Sequence, residues 1–286
     1  MNSHEDAASE VIGMILILSV MMIVIGSIML VGVPMIESGR NDAKMDVAMN
    51  SFMSLQNDIE EVVRGPIWVK NPNEITDTKG LGPSRETEFE LMGGALSVIP
   101  NSTNVTYSRT NRSNFTIIIP PSNITYIAGQ EIIAYENGAV IRKYEGGYPL
   151  MVSEPLISIY DTKDRNVTVS IHAVCINGTL SSTGGDGKAW VETRLKHYNQ
   201  TIEPDVVGKA NNTYINLTTD YPDAWKVFFE GKLKDAGLVP SIRGNATGYN
   251  ISGTRPLEVQ IYGNGSTSRP DIFLSVYESR IDVKVR

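Results

Sequence analysis

The sequence predicts an α+β fold: a long N-terminal helix, apolar and then amphipathic, followed by a mainly antiparallel β domain with one inserted helix. Three observations predict it. Residues 11–36 carry no charge, residues 41–64 repeat their apolar side chains at spacings of three and four, and beyond residue 85 short β-branched runs alternate with Gly, Pro, Asn and Ser.

The chain starts MNSHEDAASEVIGMILIL, a short charged leader running straight into the apolar stretch. As a helix, the uncharged run would rise about 39 Å, more than the ~30 Å hydrocarbon core of a bilayer. It is therefore read as a membrane span. A secretory signal has a basic leader and an apolar region of only about 7–15 residues, so this acidic leader and longer run do not fit one.

In NDAKMDVAMNSFMSLQNDIEEVVRG, the residues Met45, Ala48, Met49, Phe52, Leu55 and Ile59 fall on one helical face, continued by Val62 and Val63. Pro34 and Gly39 mark the expected bend or break between span and stem. The stripe fits packing on the protein's own β domain, or that plus packing against other subunits; periodicity alone leaves both open.

The strands expected in the body are TEFELM, ALSVI, FTIII, EIIAYE, AVIRKY, LISIY, VTVSIHAVCI, WVETRLKHY, TYINLT, LEVQIY, IFLSVY and IDVKVR. Asn137-Gly138 supplies the two positive-φ residues of a type I′ hairpin between EIIAYE and AVIRKY. The inserted helix is PDAWKVFFEGKLKDAG, with Asp220 or Asp223 as cap and Trp225, Phe228, Phe229 and Leu233 on its buried side. The expected organisation is a leader at 1–7, span and stem at 8–64, and a β-rich body at 66–286 that admits a division near residue 160.

Of the 32 acids and 25 bases, nine and three lie in residues 1–64, which leaves the body nearly neutral with 23 and 22. No electrostatic footprint for nucleic acid is present. Cys175 is the only cysteine, which excludes an intramolecular disulfide and Cys-x-x-Cys metal sites. It alternates in phase with Val167, Val169, Ile171 and Ala173, as a small buried hydrophobe on a strand does.

Asn-x-Ser/Thr occurs at Asn101, Asn104, Asn111, Asn114, Asn123 and Asn166, and again at Asn177, Asn199, Asn211, Asn216, Asn245, Asn250 and Asn264. These are 13 of the 21 asparagines, where ordinary Ser/Thr usage would give roughly three. Asn, Ser and Thr also suit turns, but the cluster from Asn101 to Asn123 favours N-glycosylation. The body is therefore expected outside the cell, with the N-terminus inside.

Catalytic motifs are missing: there is no HExxH, GxSxG, Walker A or GxGxxG, and the three histidines (His4, His172, His197) lack a recognisable acid or nucleophile partner. His172 is expected on the polar face of its strand beside Thr168 and Ser170. Asp161, Asp164 and Asn166 in DTKDRNVT could offer oxygens to Ca²⁺, but they lack EF-hand spacing and fit a solvated loop better. SSTGGDGKAW reads as a flexible turn, and Trp68, Trp190 and Trp225 as core fillers. No enzyme activity, cofactor or metal is expected.

Ala7-Ala8-Ser9-Glu10-Val11-Ile12-Gly13, followed by an apolar helix, resembles the class III signal and N-terminal helix of archaeal type IV pilins. GVPMIESGRNDAKMDVAMNSF, IAYENGAVIRKYEGGYPLMVSEP and TTDYPDAWKVFF resemble an uncharacterised group of archaeal pilin-like proteins. The resemblance implies a leader cut by a prepilin peptidase, here between Ala7 and Ala8, and other pilin subunits as partners. Glu10 would then lie three residues into the mature chain, where a carboxylate complements the helix dipole. It would either pair with a neighbouring subunit's new α-amino group or cap the helix at the cytoplasmic interface. A body this large fits a minor pilin or pilin-related surface glycoprotein acting in filament assembly, adhesion or contact. The alternative is a permanently anchored monomer that binds glycan, envelope or protein.

Overall fold

A computed structural model describes residues 3–64, 83–100, 102–110, 115–119, 122–162, 166–202, 212–241, 247–263 and 270–286, with side chains outside 3–11, 109–110, 115–119 and 199–202. The chain is α+β and divides into two compact units, Met1–Asp46 and Val47–Arg286.

Helix α1 (Ser3–Arg64) is one uninterrupted helix of 62 residues. Of the expected bend or break at Pro34 and Gly39, a break does not occur. A single proline removes one backbone hydrogen bond and crowds the carbonyl four residues earlier, and the intact turns on both sides carry the helix through. Residues 3–7 of the expected leader are part of the same helix.

Sixteen strands and a second helix follow among the described residues: β1 (Ser84–Glu90), β2 (Ala95–Ile99), β3 (Asn104–Thr110), β4 (Phe115–Ile119), β5 (Asn123–Ala128), β6 (Glu131–Glu136), β7 (Ala139–Lys143), β8 (Pro149–Ser153), β9 (Ile157–Thr162), β10 (Asn166–Gly178), β11 (Ser181–Gly184), β12 (Lys188–Ile202), β13 (Asn212–Thr218), α2 (Pro222–Asp235), β14 (Gly248–Ser252), β15 (Leu257–Tyr262) and β16 (Asp271–Val285). They form three sheets, ordered β1-β12-β16-β10-β9, β11-β2-β5-β6-β7-β8 and β14-β15-β13-β3-β4. All strand pairs are antiparallel except β10 with β16. Each sheet takes strands from both sides of residue 160, so the expected division there is replaced by one interleaved body.

The β6–β7 hairpin forms as the sequence predicts. Glu136 faces Ala139 across a two-residue turn, with φ of +47° at Asn137 and +89° at Gly138. The expected strands IFLSVY and IDVKVR are one strand, β16. Its buried residues run Ile272, Leu274, Val276 and then Ser279, Ile281, Val283, so the buried face changes at Glu278. The same shift occurs in β10, where Val167 to Cys175 alternate inward and Val174 and Ile176 are also buried.

Physically, these long strands serve two cores. Their first halves join α2 and the third sheet in a cluster built on Trp225, Phe229, Ile215, Val259, Val169 and Leu274. Further along, β16 meets β2 and β11, and on β1 of the same sheet Phe89 meets Phe52 of α1 edge-on at 5.2 Å.

SSTGGDGKAW is not a free turn: Ser181–Gly184 is strand β11, paired with β2, and Lys188 already belongs to β12. The cap of α2 is Tyr221, followed by Pro222, with no side-chain capping bond. Asp220 instead pairs with Arg255 at 2.7 Å, and Asp223 sits in the first turn, where the helix dipole favours it. Trp225 is fully buried, whereas Trp190 is 39% exposed and fills no core. Trp68 lies outside the described residues.

Candidate functional site

Among the described residues, α1 is the one helix long and apolar enough to cross a membrane. From Ile12 to Ile36 every residue except Gly32 is exposed. Two polar side chains in this stretch satisfy themselves: Ser19 Oγ donates to Ile15 O at 2.8 Å and Ser27 Oγ to Ile23 O at 2.7 Å. That is how a helix carries serine in a medium without water.

From residue 48 onward the same helix is covered. Ala48, Phe52, Leu55, Ile59, Val62 and Val63 are buried, which is the predicted stripe with Met49 half-buried. Polar contacts fix its register on the β body. Gln56 Nε2 donates to Gly138 O at 2.8 Å and to Glu154 O at 3.0 Å, and Thr87 Oγ1 donates to Asp58 Oδ2 at 2.5 Å. The protein's own body packs against this stripe, as both expected arrangements require.

Ala7, Ala8 and Glu10 lie within helical backbone.

The sequons separate by burial. Asn104, Asn177 and Asn250 are exposed, and Asn166 and Asn216 are partly exposed. Asn177 Nδ2 donates to Asp282 Oδ1 at 3.1 Å. Asn123 is 2% exposed and donates its Nδ2 to Glu136 Oε2 at 3.1 Å, so the folded chain has no room for a glycan there. Asn101, Asn111, Asn114, Asn211, Asn245 and Asn264 lie outside the described residues, as does the side chain of Asn199.

Glu136, which the sequence reading did not single out, closes the β6 end of the hairpin. It is fully buried. Its Oε1 accepts Trp225 Nε1–H at 2.7 Å and its Oε2 accepts the Asn123 amide, with Thr219 as a third hydrogen-bonding neighbour. Burial, partly offset by the three hydrogen bonds and reinforced by Asp220, raises its pKa to about 7. The only hint in the sequence was position: a carboxylate next to Asn-Gly in a run that is otherwise apolar.

His172 lies on the less buried face of β10 with Thr168 and Ser170, as the sequence predicts, and is half-buried there. Its Nε2 lies 2.8 Å from Ser279 Oγ, and its ring meets Tyr198 at 5.8 Å and Tyr277 at 6.0 Å. Burial lowers its pKa to about 4, so the ring is neutral near pH 7. A histidine and a serine are thus in contact, but no carboxylate among the described contacts orients the ring, and the pair lacks the third member of a triad.

Cys175 is buried on the core face, with its thiol pushed up to about 11 by that burial. Asp161 is exposed and Asn166 partly so; Asp164 lies outside the described residues. No cluster of three metal-ligating side chains occurs among the described residues.

A groove of about 230 Å³ runs between β8 and α2, floored by Met151, Ala224 and Phe228. Lys232 and Glu154 pair across it at 2.7 Å. Strand β8 is an open edge of the second sheet. Its Leu150 and Val152 are 55% and 41% exposed.

No curated protein and no solved structure matches the chain. The model of one family, described only as a family of unknown function (DUF7289), matches residues 69–249, more than half of the chain. The matched residues take in β1 to β13 and α2 and end within β14, and the chain belongs to the DUF7289 family.

Proposed function

We propose that the protein is a membrane-anchored, pilin-like surface glycoprotein, a minor pilin or pilin relative, acting in filament assembly, adhesion or surface contact. One observation carries the reading. Helix α1 is covered by the chain's own body from Ala48 onward and bare from Ile12 to Ile36.

A 25-residue apolar surface left uncovered needs either lipid or other apolar helices. A subunit stored in the bilayer uses the first; a subunit in a helix-cored fibre uses the second. The excess of sequons supports an external body with the N-terminus inside.

Deleting residues 1–36 tests the anchor. The truncated chain is expected in the soluble fraction, and complete retention in carbonate-washed membranes would overturn the single-anchor reading. N-terminal mass spectrometry of the native protein tests processing, with Ala8 expected as the first residue. Electron microscopy of envelope fractions tests assembly, because a pilin-like subunit is expected in or on fibres.

A second reading, a permanently anchored monomer that binds a partner, is favoured by the groove beside the open edge of β8. It predicts no fibre and a surface density of single copies.

A further inference from the structure

The two outer sheet faces of the body differ in chemistry. On the first sheet, exposed positions of β1, β12 and β16 carry ion pairs: Lys188 with Glu88, Arg194 and Arg286 with Glu192, and Lys196 with Asp282. This is the ordinary composition of a solvated face.

The third sheet is different. Its inner face is apolar, with Val105, Tyr107, Ile215, Leu217, Val259 and Ile261 in the core. On the outer face of β14, β15, β13 and β3 the polar residues are Asn, Ser, Thr, Gln and Tyr, with Glu258 the one charge among the described residues. Tyr214 sits in the middle, its hydroxyl accepting from Asn212 Nδ2 at 3.2 Å and Gln260 Nε2 at 3.1 Å.

Three sequons run along these strands: Asn104-Val-Thr106 on β3, Asn216-Leu-Thr218 on β13 and Asn250-Ile-Ser252 on β14. A strand alternates faces with period two, so each asparagine and its own hydroxyl residue share one face. The register puts all three on the same outer face: Asn104 is opposite Thr218, Asn216 opposite Thr106 and Glu258, and Asn250 opposite Gln260. With strands ~4.8 Å apart and ~3.4 Å per residue, Asn104 lies about 8 Å from Asn216, and Asn216 about 12 Å from Asn250.

We infer that the outer face of the third sheet is a glycan-covered face, bearing N-linked chains at Asn104, Asn216 and Asn250, while the buried Asn123 sequon stays bare. The inference rests on the external location proposed above and adds to it the sites and the occupant of this face. In each transfer the asparagine amide nitrogen bonds to the anomeric carbon of a polyprenyl-diphosphate-linked sugar. The amide gives up one proton, and the anomeric carbon–oxygen bond breaks with its electron pair leaving on the polyprenyl diphosphate. No oxidant or reductant takes part.

Glycopeptide mass spectrometry of the full-length native protein tests the inference, alongside labelling of intact cells with a membrane-impermeant amine reagent read at the exposed Lys226. The expected result is a glycan on each of the three peptides, none at Asn123, and label at Lys226. Three bare peptides with Lys226 labelled would overturn the glycan face and leave the external location standing. Bare peptides with Lys226 unlabelled would overturn both. A glycan on Asn123 would overturn the selection by burial. Thr106→Ala, Thr218→Ala and Ser252→Ala are each expected to remove one glycan mass, and Thr106→Ser to retain it; no mass change in the alanine variants overturns the assignment at that site.

Discussion

Glu136→Gln should change how stability depends on pH, and the change can be worked from the structure. In an unfolded chain the carboxyl titrates near its ordinary 4.5, and in the folded chain near 7. The folded state therefore holds the proton more tightly. Below about pH 4.5 the group is neutral in both states and nothing is lost. As pH rises from 4.5 to 7 the unfolded chain ionises first, and folding stability falls by about 1.4 kcal/mol per unit. The whole shift corresponds to about 3 kcal/mol, undiminished by solvent because the side chain is fully buried.

The neutral acid fits its site, since the Thr219 hydroxyl can turn to accept its proton while Trp225 and Asn123 keep donating. An amide is neutral at every pH and can be served by a flip of Asn123. The assay is urea unfolding of the detergent-solubilised chain, followed by tryptophan fluorescence at half-unit steps from pH 4.5 to 8. The difference in stability between variant and wild type should move by about 3 kcal/mol across that range, in favour of the variant at high pH. Taking the difference matters, because His172 acts in the opposite direction over part of the same window and cancels. A difference that stays flat from pH 4.5 to 8 would refute the claim that Glu136 enters the fold as a neutral acid.

His172→Gln tests that opposing contribution. The folded ring titrates near 4 rather than 6.5, so its stability is present above 6.5 and lost as pH falls toward 4; the variant should lose less stability on acidification, measured by the same unfolding series. Phe52→Ala removes a fully buried ring in edge contact with Phe89 and should lower unfolding free energy by about 3–5 kcal/mol, with membrane partitioning unchanged because the span lies elsewhere on α1. Gly138→Ala places a Cβ on a residue at φ +89° in the two-residue turn, and a loss of about 1–2 kcal/mol is expected in the denaturant midpoint.

The parts of the fold legible in the sequence were those governed by a single local period. The stem stripe, the Asn137-Gly138 hairpin and the aromatic face of α2 each need only near neighbours, and each is present. Strand β16 read as two because an alternation rule assumes one buried face, whereas this strand changes from one core to another at Glu278. Strands β3, β5, β8, β11 and β14 were missed: NVTYSRT, NITYIA and GYNIS carry the Asn, Ser and Thr that also mark turns.

The candidate sites follow the same pattern. The helix long and apolar enough to cross a membrane was plain from composition alone. The sequons were visible but their burial was not, because Asn123 is enclosed by Glu136, which no local pattern pairs with it. The surroundings of His172 depend on Tyr277 and Ser279, more than a hundred residues away, and on Tyr198 across the first sheet.

The position of β16 sets an order in time. It lies in the middle of the first sheet, between β12 and β10, yet it follows every other described strand in the chain. Until it arrives, β10 and β12 have no common neighbour, and the sheet stays as two separate parts, β1 with β12 and β10 with β9. The apolar segment of α1 precedes the body in the chain. A body anchored as proposed would complete its fold already tethered, with the unfinished edges of β10 and β12 open to neighbours on the same membrane.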